Sequence, residues 1–378
     1  MRIGLVLERF DPARGGLEHW TWQFARYLTT HGHEVHVVAF EFYDEVARDG
    51  IIAHKLEMPP SRLDRAERLA AELPTMGFDV VHDMGIGWSA DVIHPHGGST
   101  KALWEHNLMR IPKWRQIRFW REKRYRELAE LERRQLASDA VIIAVSHMVV
   151  RHFETFHGLP RKRMRMIYNG VDVDTFTPAH RTKYRDATRS QLGIHDEVLF
   201  LMLAHNLLLK NADATIRAAA KLIGDGAKLR IVIAGGKRPD PFKKLAQRLR
   251  IEQAVTFLGL VDPLPYYAAA DVFIHPTWYD PCSLVTLEAS SSGLPVITTR
   301  FNGASELMTD GKEGFVLSHP ADITALANRM QQLLDGAVRE RMGDAGRALA
   351  MQHTFAKQTA EFLDLYREIV AAKTPAMS

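Results

Sequence analysis

One cysteine, Cys282, stands in the whole of the 378-residue chain. A lone thiol closes no internal disulfide and completes no thiolate zinc site, so a disulfide-stapled module and a zinc ribbon are excluded and a reducing compartment is expected. Long apolar runs are missing too: nothing approaches the roughly 18 to 20 residues that a spanning helix needs. The start, MRIGLVLERF, reaches Glu8 and Arg9 after a handful of apolar positions, which predicts neither a secretory leader nor a membrane anchor. No internal repeat and no low-complexity tract is evident. Neither sign of charge dominates, with 49 Lys and Arg against 45 Asp and Glu and a net charge of +4. No recognisable nucleic-acid-binding module is present, and no nucleic acid is expected as a partner.

What is present is ordinary for a globular protein: 46% hydrophobic and 25% charged residues, which excludes disordered and fibrous classes. Single cores stop growing near roughly 300 residues, so this length predicts two domains. The chain opens with the apolar run Ile3-Gly4-Leu5-Val6-Leu7, a turn at Asp11-Pro12-Ala13-Arg14-Gly15-Gly16 and a helical stretch over residues 18–30. Strands are predicted at 34–40, 80–82, 91–94 and 140–145. After a polar joint at residues 177–186 a second series follows at 198–203, 229–234, 255–258, 272–275 and 295–298. Continuous apolar strands alternating with helices argue for parallel sheets covered on both faces. Two doubly wound halves are expected to meet along a cleft, because open parallel sheets bind ligands beyond the carboxyl ends of their strands. A final helix over about 355–372 is expected to pack back on the first half.

The most specific block runs Ala270-Asp271-Val272-Phe273-Ile274-His275-Pro276-Thr277, Tyr279-Asp280-Pro281, Leu287-Glu288-Ala289 and Gly293-Leu294-Pro295-Val296-Ile297. It resembles the carboxyl-terminal signature of the retaining glycosyltransferases of family 4, in which two carboxylates separated by seven residues precede a small-residue helix and a Gly-x-Pro-Val strand. Here the pair is Asp280 and Glu288, with aspartate where the family normally has glutamate. The resemblance implies an α/β fold of the GT-B type, two doubly wound Rossmann-like domains facing a cleft. Their expected limits are 1–178 on the acceptor side and 179–353 on the nucleotide-sugar side, with 354–378 forming the helix that returns. It also implies that Glu288 binds ribose hydroxyls while Asp280, with Ser283 and Leu284 beside it, holds the donor sugar. Ionised carboxylates accept and do not donate, which suits two vicinal hydroxyls. On residues alone, Glu288 also reads as a charge placed for the dipole at a helix start.

Other matches run along the chain in the family's order. Gly15-Gly16-Leu17-Glu18 resembles the amino-terminal glycine loop, where backbone N–H groups at a helix start approach the donor. Tyr168-Asn169-Gly170-Val171-Asp172 resembles the segment that closes the first domain, and Asp172-Val173-Asp174 within it reads as structural. Ser146 reads as a helix N-cap. Lys210 falls where the family places an Arg and a Lys on the diphosphate, the arginine position holding Leu209 or an upstream neighbour, so Lys210 is expected to carry most of that charge with help from Lys237 or Arg238. In His94-Pro95-His96-Gly97-Gly98, His96 matches the family histidine that contacts the sugar better than His94 does. The resemblance thus gives His96, Lys210 and Asp280 as catalytic, and Gly15, Gly16, Lys210, Asp280, Ser283, Leu284 and Glu288 as donor-binding. No metal or other cofactor is expected, and the group His31, His33, His36 reads as a strand entry.

Residues 110–126 hold eight basic residues against Glu122 alone, interleaved with Trp114, Phe119, Trp120 and Tyr125. Such a segment suits an anionic surface, and Lys113, Arg115, Arg118 and Arg121 are the expected contacts to a membrane or a glycolipid acceptor. The activity implied is metal-independent transfer of a hexose, from a UDP-sugar by preference, to a glycan or lipopolysaccharide-core-type acceptor in the cytoplasm or at the inner face of the plasma membrane. A nucleotide-sugar epimerase of the same fold and a non-catalytic nucleotide-sugar-binding protein are the alternatives.

Overall fold

The computed structural model of the protein describes residues 1–13, 15–43, 46–109, 122–236 and 238–373. Lys113, Arg115, Arg118 and Arg121 of the basic segment, and Lys237, lie outside them. Two compact units form: Met1–Ile167 with Gln358–Ser378, and Tyr168–Lys357.

The first unit contains strands β1 (Arg2–Val6), β2 (Arg9–Phe10), β3 (Glu34–Ala39), β4 (Glu41–Phe42) and β5 (Ile52–Lys55), followed by β6 (Val80–Asp83), β7 (Val92–Ile93), β8 (Val141–Ala144) and β9 (Met164–Met166). Seven of them form one parallel sheet in the order β5-β3-β1-β6-β7-β8-β9, and β2 pairs with β4 beside it. From Ile3 to Val6 every residue of β1 is buried, as a central strand covered by helices on both faces requires. The helix Phe355–Lys373 seals one face of this sheet. Trp20 Nε1 donates to Gln358 Oε1 at 3.0 Å, the Tyr366 hydroxyl bonds His82 Nδ1, and Phe362 is fully buried against Trp20 and Phe24.

The second unit contains β10 (Val198–Leu203), β11 (Leu229–Ala234), β12 (Val255–Phe257), β13 (Val272–His275), β14 (Val296–Thr299) and β15 (Gly314–Leu317), all parallel in the order β12-β11-β10-β13-β14-β15. Strand order reverses between β10 and β13, and connections leave these neighbours toward opposite flanks, opening a crevice at their carboxyl ends. Gly314 lies against β14 at φ +151°, where a Cβ would stand 2.0 Å from the Val296 carbonyl oxygen, so only glycine fits.

Two stretches depart from the sequence reading. The polar joint at 177–186 is largely helix, His180–Gln191. Its inward face is built from arginine: Arg185 and Arg189 bind the Asp271 carboxylate at 2.6 and 3.0 Å and the carbonyls of Ala269 and Ala270 around it. An apolar-periodicity argument misses a helix held this way. Residues 168–178, assigned by sequence to the end of the first domain, pack within the second unit. Asn169 Nδ2 donates to the Cys282 carbonyl at 2.7 Å, Ser291 Oγ donates to the Phe176 carbonyl at 2.6 Å, and Gly170 abuts the Thr354 backbone. Asp172 accepts from the N–H groups of Asp174 and Thr175, a local turn that uses the Asp-Val-Asp spelling structurally.

Candidate functional site

In the second unit the loops that leave β10 and β13 meet at the order reversal. The β10 loop folds back on itself: Asn206 Oδ1 accepts from Leu209 N, and Lys210 N donates to the Asn206 carbonyl. Trp278 N and Thr277 Oγ1 both donate to the Leu209 carbonyl, at 2.9 and 3.2 Å, so the two loops are tied through backbone atoms. This placement brings Lys210 Nζ to 2.6 Å from Asp280 Oδ2 and 3.2 Å from the Tyr279 carbonyl. His275, the last residue of β13, directs Nε2 at the same Asp280 oxygen from 3.1 Å. Both members of the ion pair are largely buried, with 17% and 14% of their side chains exposed. Burial pushes the Asp280 carboxyl up, but the neighbouring ammonium of Lys210 and the hydrogen bond from His275 outweigh it and hold the group below the ordinary carboxylate range.

The Asp280 backbone is pinned as well, its N–H donating to the Phe301 carbonyl at 2.9 Å and its carbonyl accepting from Gly303 N at 2.8 Å. Three residues on, Ser283 caps the helix Leu284–Ser291, its Oγ accepting from Thr286 N at 3.3 Å. Asn302 braces the turn by accepting from Ser283 N and donating to Thr286 and Thr298 hydroxyls.

Glu288 stands in the second turn of that helix, beyond the first turn where a dipole argument applies. The Tyr267 hydroxyl donates to Glu288 Oε2 at 2.7 Å, and burial raises the carboxyl to about 7 despite that bond. A half-buried carboxylate with one oxygen held by a tyrosine is built to accept further hydroxyl donors through the other. Leu209 is half-buried and contributes backbone hydrogen bonds but no charge, and Arg238 is exposed. Lys210 is therefore the cation this loop contributes among the described residues.

The first unit holds the remaining candidates at the carboxyl ends of its own strands. The helix Gly16–Thr30 follows β2 with Gly15 as an extended N-cap that supplies no side-chain cap, and the Glu18 carboxylate of its first turn lies 3.1 Å from where a Gly15 Cβ would stand. His96 follows β7 and lines a cavity of about 180 Å³ with Leu17, Met84 and Gly98. Burial holds its imidazole down to about 3, so the ring is neutral at physiological pH. His94 is fully buried, stacked between His82 and His96 and edge-on to Trp20. Ser146 caps the helix His147–His157, accepting from Val149 N. The strand-entry histidines make local contacts: His31 stacks on Tyr27, His33 meets the chain amino group, and His36 bonds His54 and Glu34.

Sequence reasoning gathers Lys210, Asp280, Ser283, Leu284 and Glu288, and the second unit assembles them around two strand ends and one helix. It misses His275, Tyr267 and Asn302. His275 sits inside the quoted signature, and the rule that cleft residues follow parallel strands would have marked it. Nothing in the local sequence pairs Tyr267 with Glu288.

Two parallel doubly wound units with a carboxylate–lysine pair at a strand-order reversal define the architecture of a sugar transferase of GT-B type, and comparison with known proteins agrees. The Glycosyltransferase Family 4 model matches residues 14–175 and the Glycosyl transferases group 1 model matches residues 184–349, and the chain belongs to this family of retaining glycosyltransferases, which use nucleotide-sugar donors. A D-inositol 3-phosphate glycosyltransferase of Corynebacterium aurimucosum is 28% identical over 318 residues, 75% of this chain and 73% of that enzyme. Other enzymes of that name match over 35% to 61% of their own length. The crystal structure of WaaG, a glycosyltransferase involved in lipopolysaccharide biosynthesis, superposes with a TM-score of 0.80 at 20% identity, covering 96% of this chain and 99% of that one. The structure of Anabaena Alr3699/HepE in complex with UDP-glucose superposes with a TM-score of 0.74 at 20% identity, over 96% and 99% of the two chains.

Proposed function

We propose that the protein transfers a hexose from a UDP-sugar, with UDP-glucose favoured, to a glycolipid or lipopolysaccharide-core-type acceptor, without a metal ion. The observation that carries this reading is the meeting of Lys210 with Asp280 at the β10 and β13 ends, one helix away from Glu288. Lys210 neutralises the departing diphosphate, aided by N–H groups at helix starts such as Gly15-Gly16. Asp280, with Ser283 and Leu284, orients the sugar, and Glu288 accepts the ribose hydroxyls. The bond from the anomeric carbon to the diphosphate breaks, and a bond to the acceptor oxygen forms on the same face. The acceptor proton passes to an oxygen of the leaving diphosphate. His96, neutral in its pocket, lies on the acceptor side and contacts the sugar.

The UDP preference is supported by the likeness to a fold-mate solved with UDP-glucose, and the glycolipid acceptor by the likeness to WaaG together with the basic segment 110–126. Lys113, Arg115, Arg118 and Arg121 are the proposed contacts to an anionic bilayer or a phosphorylated acceptor. No helix among the described residues is long and apolar enough to cross a membrane, and the proposed location is the cytoplasm, peripheral on the inner membrane face.

The test is a thermal-shift panel of UDP-, GDP- and ADP-hexoses, followed by mass-spectrometric product analysis on lipid-extract acceptors with and without EDTA. Stabilisation by a UDP-hexose and EDTA-resistant mass gain of one hexose on a lipid acceptor are expected. Conversion of the donor in the absence of acceptor identifies an epimerase and refutes the proposal, as does nucleotide binding with no turnover.

A further inference from the structure

We infer that His275 is a positioning residue for the donor sugar: its Nε2–H holds one oxygen of the Asp280 carboxylate, leaving the other to accept a sugar hydroxyl. This deepens the donor reading above and rests on it. Asp280 Oδ2 receives both Lys210 Nζ, at 2.6 Å, and His275 Nε2, at 3.1 Å, whereas Oδ1 takes no partner among the described residues. The loading of the carboxylate is thus one-sided. A shared lysine cannot keep it so alone, since an ammonium on a flexible stem follows either oxygen and is drawn away when a diphosphate arrives.

The imidazole is fixed where the lysine is mobile. His275 is 1% exposed, its carbonyl accepts from Thr298 Oγ1 at 3.0 Å and Thr277 N at 2.8 Å, and its ring lies parallel to Phe273 at 6.0 Å. Its Nδ1 is buried with no hydrogen-bond partner, so the single proton of the neutral ring belongs on Nε2, where the carboxylate is. Burial favours that neutral form. The aspartate arm is one methylene shorter than the family's glutamate and its backbone is pinned on both sides, so a second rigid donor decides which oxygen turns toward the ligand.

The test compares wild type with His275→Gln, His275→Asn and His275→Leu by titration calorimetry with two probes, UDP-glucose and UDP. Glutamine reaches the Nε2 position with an amide donor, asparagine reaches only the Nδ1 position, and leucine fills the space with none. Expected are about tenfold weaker UDP-glucose binding for the Leu and Asn variants, as for loss of one hydrogen bond to a charged acceptor, UDP binding within about threefold of wild type throughout, and recovery of UDP-glucose affinity in His275→Gln. If His275→Leu does not fold, the Gln and Asn pair carries the comparison. Equal weakening of UDP and UDP-glucose, or Asn and Gln variants that behave alike, overturns the positioning role while the donor reading stands. A wild type that binds neither probe overturns the donor reading and this inference with it.

Discussion

Replacing Lys210 by alanine separates stability from catalysis at one position. In the native unit the ammonium lies 2.6 Å from Asp280 Oδ2, with both side chains more than four-fifths buried. Its removal leaves a carboxylate that burial disfavours, with His275 Nε2 as its one side-chain partner among the described residues. Breaking a buried pair from one side costs about 3–5 kcal/mol, and the residual exposure of both groups places the expected loss near the lower end. Turnover falls separately, because one preorganised charge aimed at the leaving group contributes roughly 3–4 kcal/mol to the transition state, a loss of about 10²–10³ in kcat. Urea denaturation measures the first effect, and initial rates of UDP-glucose consumption with acceptor measure the second. The double variant Lys210→Ala/Asp280→Asn removes the orphaned charge, so it recovers most of the stability and none of the rate. Turnover of Lys210→Ala within threefold of wild type refutes the assignment, and so does recovery of rate together with stability in the double variant.

Glu288 carries a pH signature: with its carboxyl raised to about 7, the ionised fraction climbs from about one-tenth at pH 6 to about nine-tenths at pH 8. In the proposed donor complex the carboxylate is the form that accepts ribose hydroxyls, so UDP-glucose binding by calorimetry is expected to tighten up to about ninefold over that interval, and Glu288→Gln to bind weakly with a flat profile. Phe362→Ala empties a fully buried site between Trp20, Phe24 and His82 and costs the first unit about 3–5 kcal/mol in urea denaturation. Gly314→Ala drives a Cβ into the Val296 carbonyl in a strongly disfavoured backbone region, and its yield of folded protein by size-exclusion chromatography falls sharply.

Much of the architecture is written locally. Apolar runs such as 198–203 and 229–234 coincide with strands Val198–Leu203 and Leu229–Ala234 to the residue, because a central parallel strand buries both faces and leaves little freedom in composition. That Lys210, Asp280 and Glu288 belong to one unit was legible from their order and spacing relative to the strand ends, and the structure pairs the first two and sets the third on the following helix. The helix His180–Gln191 was hidden because arginine, and not aliphatic periodicity, fastens it to Asp271.

Residue types, their order and the strand–helix alternation therefore belong to the sequence, since each depends on neighbours a few positions away. Tertiary structure decided the rest. It chose Asp280 as the partner of Lys210 across 70 residues, set Tyr267 on Glu288, and turned His275 toward the carboxylate. It also took the final helix back to His82, 284 residues upstream of Tyr366. Such pairings arise only when strands far apart in the chain become neighbours in a sheet, and no local pattern encodes which neighbours those are.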